Sequence, residues 1–364
     1  MNGSSIPLLN AVFIDPEIAL SLDLPQWSLL IRQARGANVL PRLGHFFEAA
    51  GLLGQIPAKA LAHIQSSLIF ARRFERSLQW EITCIEAALK PLDIPLVFLK
   101  GSAYYVAGNI AAQGRIFSDV DILVPEAILP DVEIALIKAG WMTSNLDAYD
   151  QKYYRQWMHE IPPMRHLQRQ TSIDVHHNIL PKTYKFSPDA KKLLANIVNK
   201  PGTNFWVLAP EDRVLHSATH LFHGGEFEQG FRDLSDLDLL LKEFAHQENF
   251  WLKLLQRAEE LKQQMALCYA LRYTHKILNT PIPPEIINTA NKQGNTVFSF
   301  TFLDPLFLPA LQPYHNSCNS PWTHTARFLL FIRSHWLKMP PNLLIPHLLK
   351  KTLKQFDTFL KNQH

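Results

Sequence analysis

The stretch that decides the fold runs Leu96-Val97-Phe98-Leu99-Lys100-Gly101-Ser102 and, after a spacer, Asp119-Val120-Asp121-Ile122-Leu123-Val124. The apolar run Leu96 to Leu99, bounded by Pro95 and by Lys100-Gly101-Ser102, is too short for a helix and reads as a buried strand. In the second segment Val120, Ile122 and Val124 alternate with Asp119, Asp121 and Leu123, so one face is aliphatic and the other carries two carboxylates. Like charges placed that close repel, and a structure keeps them where something cationic lies between them. Hard oxygen ligands of this kind suit Mg²⁺ or Mn²⁺. The competing reading is a strand edge with two solvated acids.

Working outward, Gly101-Ser102 follows the first strand and opens a helix-compatible segment, Ser102 to Ala112. Free backbone N–H groups at a helix start favour a phosphate, and glycine lets the backbone come close. Downstream, Glu126 to Ala139 carries Ile128, Leu129, Val132, Leu136 and Ile137 at helical spacing and is ended by Gly140, with Trp141-Met142-Thr143 as a further strand. Met164 to Gln168 and Ser172 to Ile179 flank Arg169-Gln170-Thr171 as an antiparallel hairpin. A third acid, Asp174, lies in Ser172-Ile-Asp-Val-His-His, with Ile173 and Val175 facing the other way. Three acids on the same side of adjacent strands can hold two metal ions and supply a general base.

Residues 91–182 therefore read as a small mixed α/β unit between helical regions at 1–90 and 183–364, an α+β fold. In the first region Leu61, Ile64, Leu68, Ala71, Leu78, Ile82, Ile85 and Leu89 mark one long amphipathic helix, interrupted only where Glu75 takes a stripe position. In the last, Ala190 to Val198, Pro210 to Phe222, Phe231 to Phe244, Phe250 to Leu278 and Thr323 to Lys338 carry helical spacing, and Leu343 to Leu360 forms an amphipathic, lysine-bearing tail.

Composition bounds the function. The chain has 364 residues, 47% hydrophobic and 19% charged, so it is globular and large enough for two or three compact units. Its 36 basic and 32 acidic residues leave a net charge of +4, a slight bias toward anionic ligands that falls short of a nucleic-acid footprint. Cys84, Cys268 and Cys318 form no CxxC pair, which disfavours a disulfide framework or a cysteine zinc site. No apolar run approaches membrane-spanning length and Met1 to Asn10 does not resemble a signal peptide, so a cytoplasmic protein without a membrane partner is expected.

Three segments together, Ile94-Pro-Leu-Val-Phe-Leu-Lys-Gly-Ser-Ala, Arg115-Ile-Phe-Ser-Asp-Val-Asp-Ile-Leu-Val and Ile173-Asp-Val-His, with Gly140-Trp141 between them, resemble a largely uncharacterised bacterial nucleotidyltransferase family. It sits within the DNA-polymerase-β-like nucleotidyltransferase superfamily. The superfamily pattern is Gly-Gly or Gly-Ser, a spacer, Asp-h-Asp/Glu-h, where h is hydrophobic, and a later acid. The spacer here, Ala103 to Ser118, is longer than usual, and Lys100 replaces an apolar residue. The likeness extends into Trp27 to Leu43, the His216 to Asp238 helices and Phe328 to Leu337.

The resemblance implies metal-dependent transfer of an NMP, adenylyl favoured, from an NTP to a small-molecule or protein acceptor, with release of pyrophosphate. Asp119, Asp121 and Asp174 then bind Mg²⁺ or Mn²⁺, with Asp174 also taking the acceptor's proton. Lys100, Gly101, Ser102, Arg115 and His176 are the expected nucleotide-binding residues. For Arg115 the competing role is an ion pair that positions the loop, and for His176 it is a structural one. His216, His220 and His223 share one helical face, a geometry open to zinc. With Arg232, His220 and His223 are expected to line an acceptor pocket. A catalytically degenerate nucleotide- or partner-binding scaffold and a two-metal phosphohydrolase are the rival functions.

Overall fold

Seven short strands build the sheet: β1 (Leu96–Phe98), β2 (Asp119–Leu123), β3 (Trp141–Thr143), β4 (Met164–His166), β5 (Ser172–His176), β6 (Ile197–Asn199) and β7 (Phe205–Leu208). The computed structural model describes residues 6–143, 148–294 and 300–338. Strand order is β3-β4-β5-β2-β1-β7-β6. The β2–β5 and β1–β7 pairs are parallel and the others antiparallel, so the sheet is mixed. The hairpin expected around residues 169–171 is β4–β5, with Met164 opposite Ile173.

The sheet runs past residue 182, because β6 and β7 lie in a stretch read from sequence as helical. The helix there stops at Leu194. Ile197-Val198-Asn199 instead pairs with Phe205-Trp206-Val207-Leu208, which in turn pairs in parallel with β1. A few apolar residues carry too little periodicity to separate helix from strand, and pairing with a buried partner decides. Two other runs also differ from expectation. Phe250 to Leu278 divides near Lys262, whose φ is 59°, into helices Phe250–Glu260 and Gln264–Leu278. Phe300–Ala310, to which no element is assigned from sequence, is a helix with Pro305 and Pro309 inside it.

Alternation along the strands separates two apolar cores. Leu96 and Phe98 of β1 join Val120, Ile122, Ile173 and Val175 on one face, under Leu78, Ile82, Ile85 and Leu89 of the 32-residue helix Ala58–Leu89. Each such side chain removed from water contributes roughly 1.5–3 kcal/mol before its ordering cost. Val97, Leu99 and Leu123 point to the opposite face, into a larger core built by helices from both ends of the chain: Leu24–Gly36 and Leu40–Ala49, and Pro210–Gly224, Gly230–Phe244 and Gln264–Leu278. Ile64 and Leu68, earlier on the long helix, lie in that second core, so one helix spans both. Glu75 is exposed beside the stripe. Asp119 and Asp121 share their face with Leu123, so the acids lie on the face roofed by the terminal helices. The tail from Leu343 to Leu360 lies outside the described residues, among which no helix is long and apolar enough to cross a membrane.

Candidate active site

Register brings the acids together. Asp121 of β2 stands opposite Asp174 of β5 in the parallel ladder, and Leu123 stands opposite His176. Paired residues project to the same side, so Asp121, Asp174 and His176 meet on one face, and each offers a ligand atom within 4.8 Å of the other two. Asp119, half-buried one step earlier on β2, lies outside this group and accepts a hydrogen bond from Ser118 Oγ at 2.8 Å.

The antiparallel β1–β2 pair ends with Leu99 N donating to Asp121 O at 2.9 Å, which sets the following turn beside the carboxylates. Lys100 has φ of 48°, a left-handed conformation rare without glycine, and its Nζ reaches Asp121 Oδ1 at 2.7 Å. His176 Nε2 donates to the same oxygen at 2.9 Å. Burial opposes ionisation of Asp121, but the Lys100 ammonium and the His176 hydrogen bond outweigh it and hold the carboxyl far below the usual range. Burial likewise works against the Lys100 charge, and Asp121 overrides it, raising the ammonium's pKa. Asp174 goes the other way: burial first, then the nearby Asp121 and Glu160 carboxylates, push it up to about 7. Two carboxyls on one face are thus split into one held ionised and one poised near neutrality.

Glu160 is the acid that sequence reading missed. The segment before β4 continues along β5 through Ile161 N to Val175 O at 3.1 Å and a bridge between Glu160 and His176. Its carboxylate lies 3.2 Å from His176 Nδ1. Burial works against the charged form of His176, yet Glu160 and Asp121 on its two sides raise its pKa. His159, its ring 5.3 Å from that of His176, is held neutral by burial and by the cations around it.

Several expected nucleotide contacts are engaged within the protein. The buried Ser102 hydroxyl donates to Leu99 O at 2.7 Å, with Asp121 O at 3.2 Å, and so ties the turn to β2. Arg115 is paired with Asp236 and lies 3.9 Å from Asp233, both on helix Gly230–Phe244, while Arg42 from the N-terminal region reaches Asp236 at 2.7 Å. A Cβ on Gly101 would stand 2.7 Å from Arg115 Nε, so the glycine also makes room for that guanidinium. Arg232 pairs with its neighbour Asp233 at 2.7 Å, leaving Asp236 to Arg42 and Arg115.

Helix Pro210–Gly224 packs on the Lys100–Ala107 helix and brings two of its histidines near Lys100 and Asp121. His216 is buried and His220 exposed, and both feel the charges of Lys100 and Asp121. Burial, with Lys100 next, lowers the His216 pKa well below the ordinary one. His223 departs from that face. It is buried edge-on to Tyr184 at 5.1 Å, donates from Nδ1 to Thr219 O at 3.2 Å, and is pushed down to about 3 by burial and Arg333.

The donor set Asp121, Asp174 and His176, rich in oxygen and with Asp119 near, fits a hard divalent cation. Compared with known proteins, the chain matches the model of a family described as "Uncharacterised nucleotidyltransferase" over residues 23–279, more than two thirds of its length. No curated protein and no solved structure matches it.

Proposed function

The chain belongs to this nucleotidyltransferase family, and from that membership we propose that the Asp121–Asp174 face transfers an NMP, AMP before the others, from an NTP to a small-molecule or protein acceptor. The observation that carries the reading is the in-register pair of carboxyls, one ionised beside Lys100 and one with a pKa of about 7. Asp121, Asp174 and Asp119 would hold Mg²⁺ or Mn²⁺, with His176 behind them. When bound, such an ion neutralises charge on the triphosphate and on the departing pyrophosphate.

The chain's own groups supply the rest. Lys100 and the N–H groups at the start of helix Lys100–Ala107 take the phosphates. Asp174 accepts the acceptor's proton as the acceptor oxygen bonds to the α-phosphorus and the bond to pyrophosphate breaks. Ser102 and Arg115 hold the turn from behind, and His176 orients Asp121. His220 stands on the acceptor side, with His223 and Arg232 behind it. The catalytic unit is residues 91–182 with β6 and β7 added, set between helical regions 1–90 and the remainder of 183–364. A cytoplasmic setting supplies the NTP.

The test is the fate of an α-labelled NTP incubated with Mg²⁺ or Mn²⁺ and fractions of cell extract. Label joined to an acceptor, with equimolar pyrophosphate and no product from Asp121→Asn, supports transfer. Free NMP or inorganic phosphate formed without an acceptor favours hydrolysis, and no turnover with tight NTP binding favours a scaffold.

A further inference from the structure

Beside the carboxylate pair, His159, Glu160 and His176 bring a second set of ligand atoms within 4.8 Å of one another. His159 and Glu160 belong to the segment that precedes β4, and His159 O accepts from His177 N at 2.8 Å, so β5 holds this segment in place. Two ring nitrogens here, His159 Nδ1 and His176 Nδ1, are buried without a hydrogen-bond partner. Glu160 Oε2, though 3.2 Å from His176 Nδ1, is not aligned to satisfy it. Orphaned buried nitrogens are costly, and a cation that takes their lone pairs removes the cost.

We propose that His159, Glu160 and His176 form a binding site for a Zn²⁺-class transition-metal ion, distinct from the Asp121–Asp174 site. Two imidazoles and one carboxylate, with a fourth position open, are a recurring zinc donor set, and nitrogen ligands select such ions over Mg²⁺. The surroundings of His176 fit the role. A metal-bound histidine commonly donates its other ring N–H to a carboxylate, and His176 Nε2 donates to Asp121 Oδ1 at 2.9 Å. Through this one ring the nitrogen-rich site touches the carboxylate site: a metal on Nδ1 leaves the proton on Nε2 and so fixes the tautomer and orientation that Asp121 meets. The site does not depend on nucleotidyl transfer, since it rests on its own donors.

The test is an optical titration of the chelator-stripped full-length protein with Co²⁺, followed by displacement with Zn²⁺, in wild type, His159→Ala, Glu160→Gln and Asp174→Asn. One equivalent of Co²⁺ giving intense visible bands of low coordination number, unaffected by millimolar Mg²⁺, is expected. Affinity should fall about 100-fold in His159→Ala and at least about tenfold in Glu160→Gln, and change less than about threefold in Asp174→Asn. Glu160→Gln preserves shape, so it reports even where His159→Ala fails to fold. Binding lost in Asp174→Asn but kept in Glu160→Gln would assign the ion to the carboxylate site and overturn the proposal, as would weak octahedral bands or no binding at all.

Discussion

The Lys100 ammonium lies 2.7 Å from Asp121 Oδ1, at the first residue of a helix and with a left-handed backbone. A lysine therefore sits within reach of the carboxylates that are proposed to take a metal and, in the metal-free protein, serves as their counter-charge. Because Asp174, Glu160 and Asp119 all act on one another or on Lys100 electrostatically, removing this cation leaves a cluster of acids with less positive charge to offset it.

Lys100→Ala should accordingly lower unfolding stability by about 3 kcal/mol in chelator, the scale for stripping one partner from a mostly buried ion pair. Mg²⁺ should restore more stability to this variant than to wild type. Lys100→Gly should recover about 1 kcal/mol relative to Lys100→Ala, because glycine adopts φ near 48° without strain. Urea unfolding with and without Mg²⁺ measures all three. An alanine variant as stable as wild type in chelator would mean that Lys100 is not the counter-charge.

Gly101→Ala places a methyl 2.7 Å from Arg115 Nε, and Arg115 is pinned by Asp236 and cannot simply swing away. The expected cost is about 2 kcal/mol of overpacking. In an Arg115→Ala background the same change should cost well under about 1 kcal/mol, because the obstructing group is gone. Equal costs in the two backgrounds would show that the glycine does not serve that contact.

For Asp174 the pH dependence has a definite sign. Its carboxyl is raised from the ordinary 3.8 to about 7, so between those values the folded chain holds a proton that the unfolded chain has lost. Its contribution to stability is full below pH 4 and is lost as pH rises toward 7. Asp121, shifted downward, acts in the opposite sense at lower pH. Urea midpoints in chelator from pH 4 to 8 should fall more in wild type than in Asp174→Asn across that window, and parallel curves would contradict the assignment.

The α/β core was legible because its signals are local. Alternation in Asp119 to Val124 and in Ser172 to His176 places the acids on one face whatever the tertiary context. Glu160 was not legible, for a physical reason. Met164 pairs with Ile173, and an unbroken hairpin in that register would set Ile161 opposite His176; Pro162-Pro163 interrupts the ladder and shifts the register by one residue, turning Glu160 to the site. The internal contacts of Ser102 and Arg115 were not legible either. Whether the Arg115 guanidinium meets substrate or protein depends on Asp236, more than a hundred positions along the chain. For Arg115 the fold supplies an ion pair with Asp236. Strands β6 and β7 depend on β1, which no window around residue 200 contains.

The most direct measurement is thermal unfolding with each of the four NTPs, with and without Mg²⁺ or Mn²⁺, for wild type and Asp121→Asn. A nucleotide at about 100 times its Kd adds roughly 2.7 kcal/mol to the folded state, a rise of several degrees in Tm. The expected result is a rise for at least one NTP, ATP foremost, that requires the divalent cation and disappears in Asp121→Asn. A rise of equal size in Asp121→Asn, or one indifferent to the cation, would contradict the assignment of Asp121 to a metal–nucleotide site.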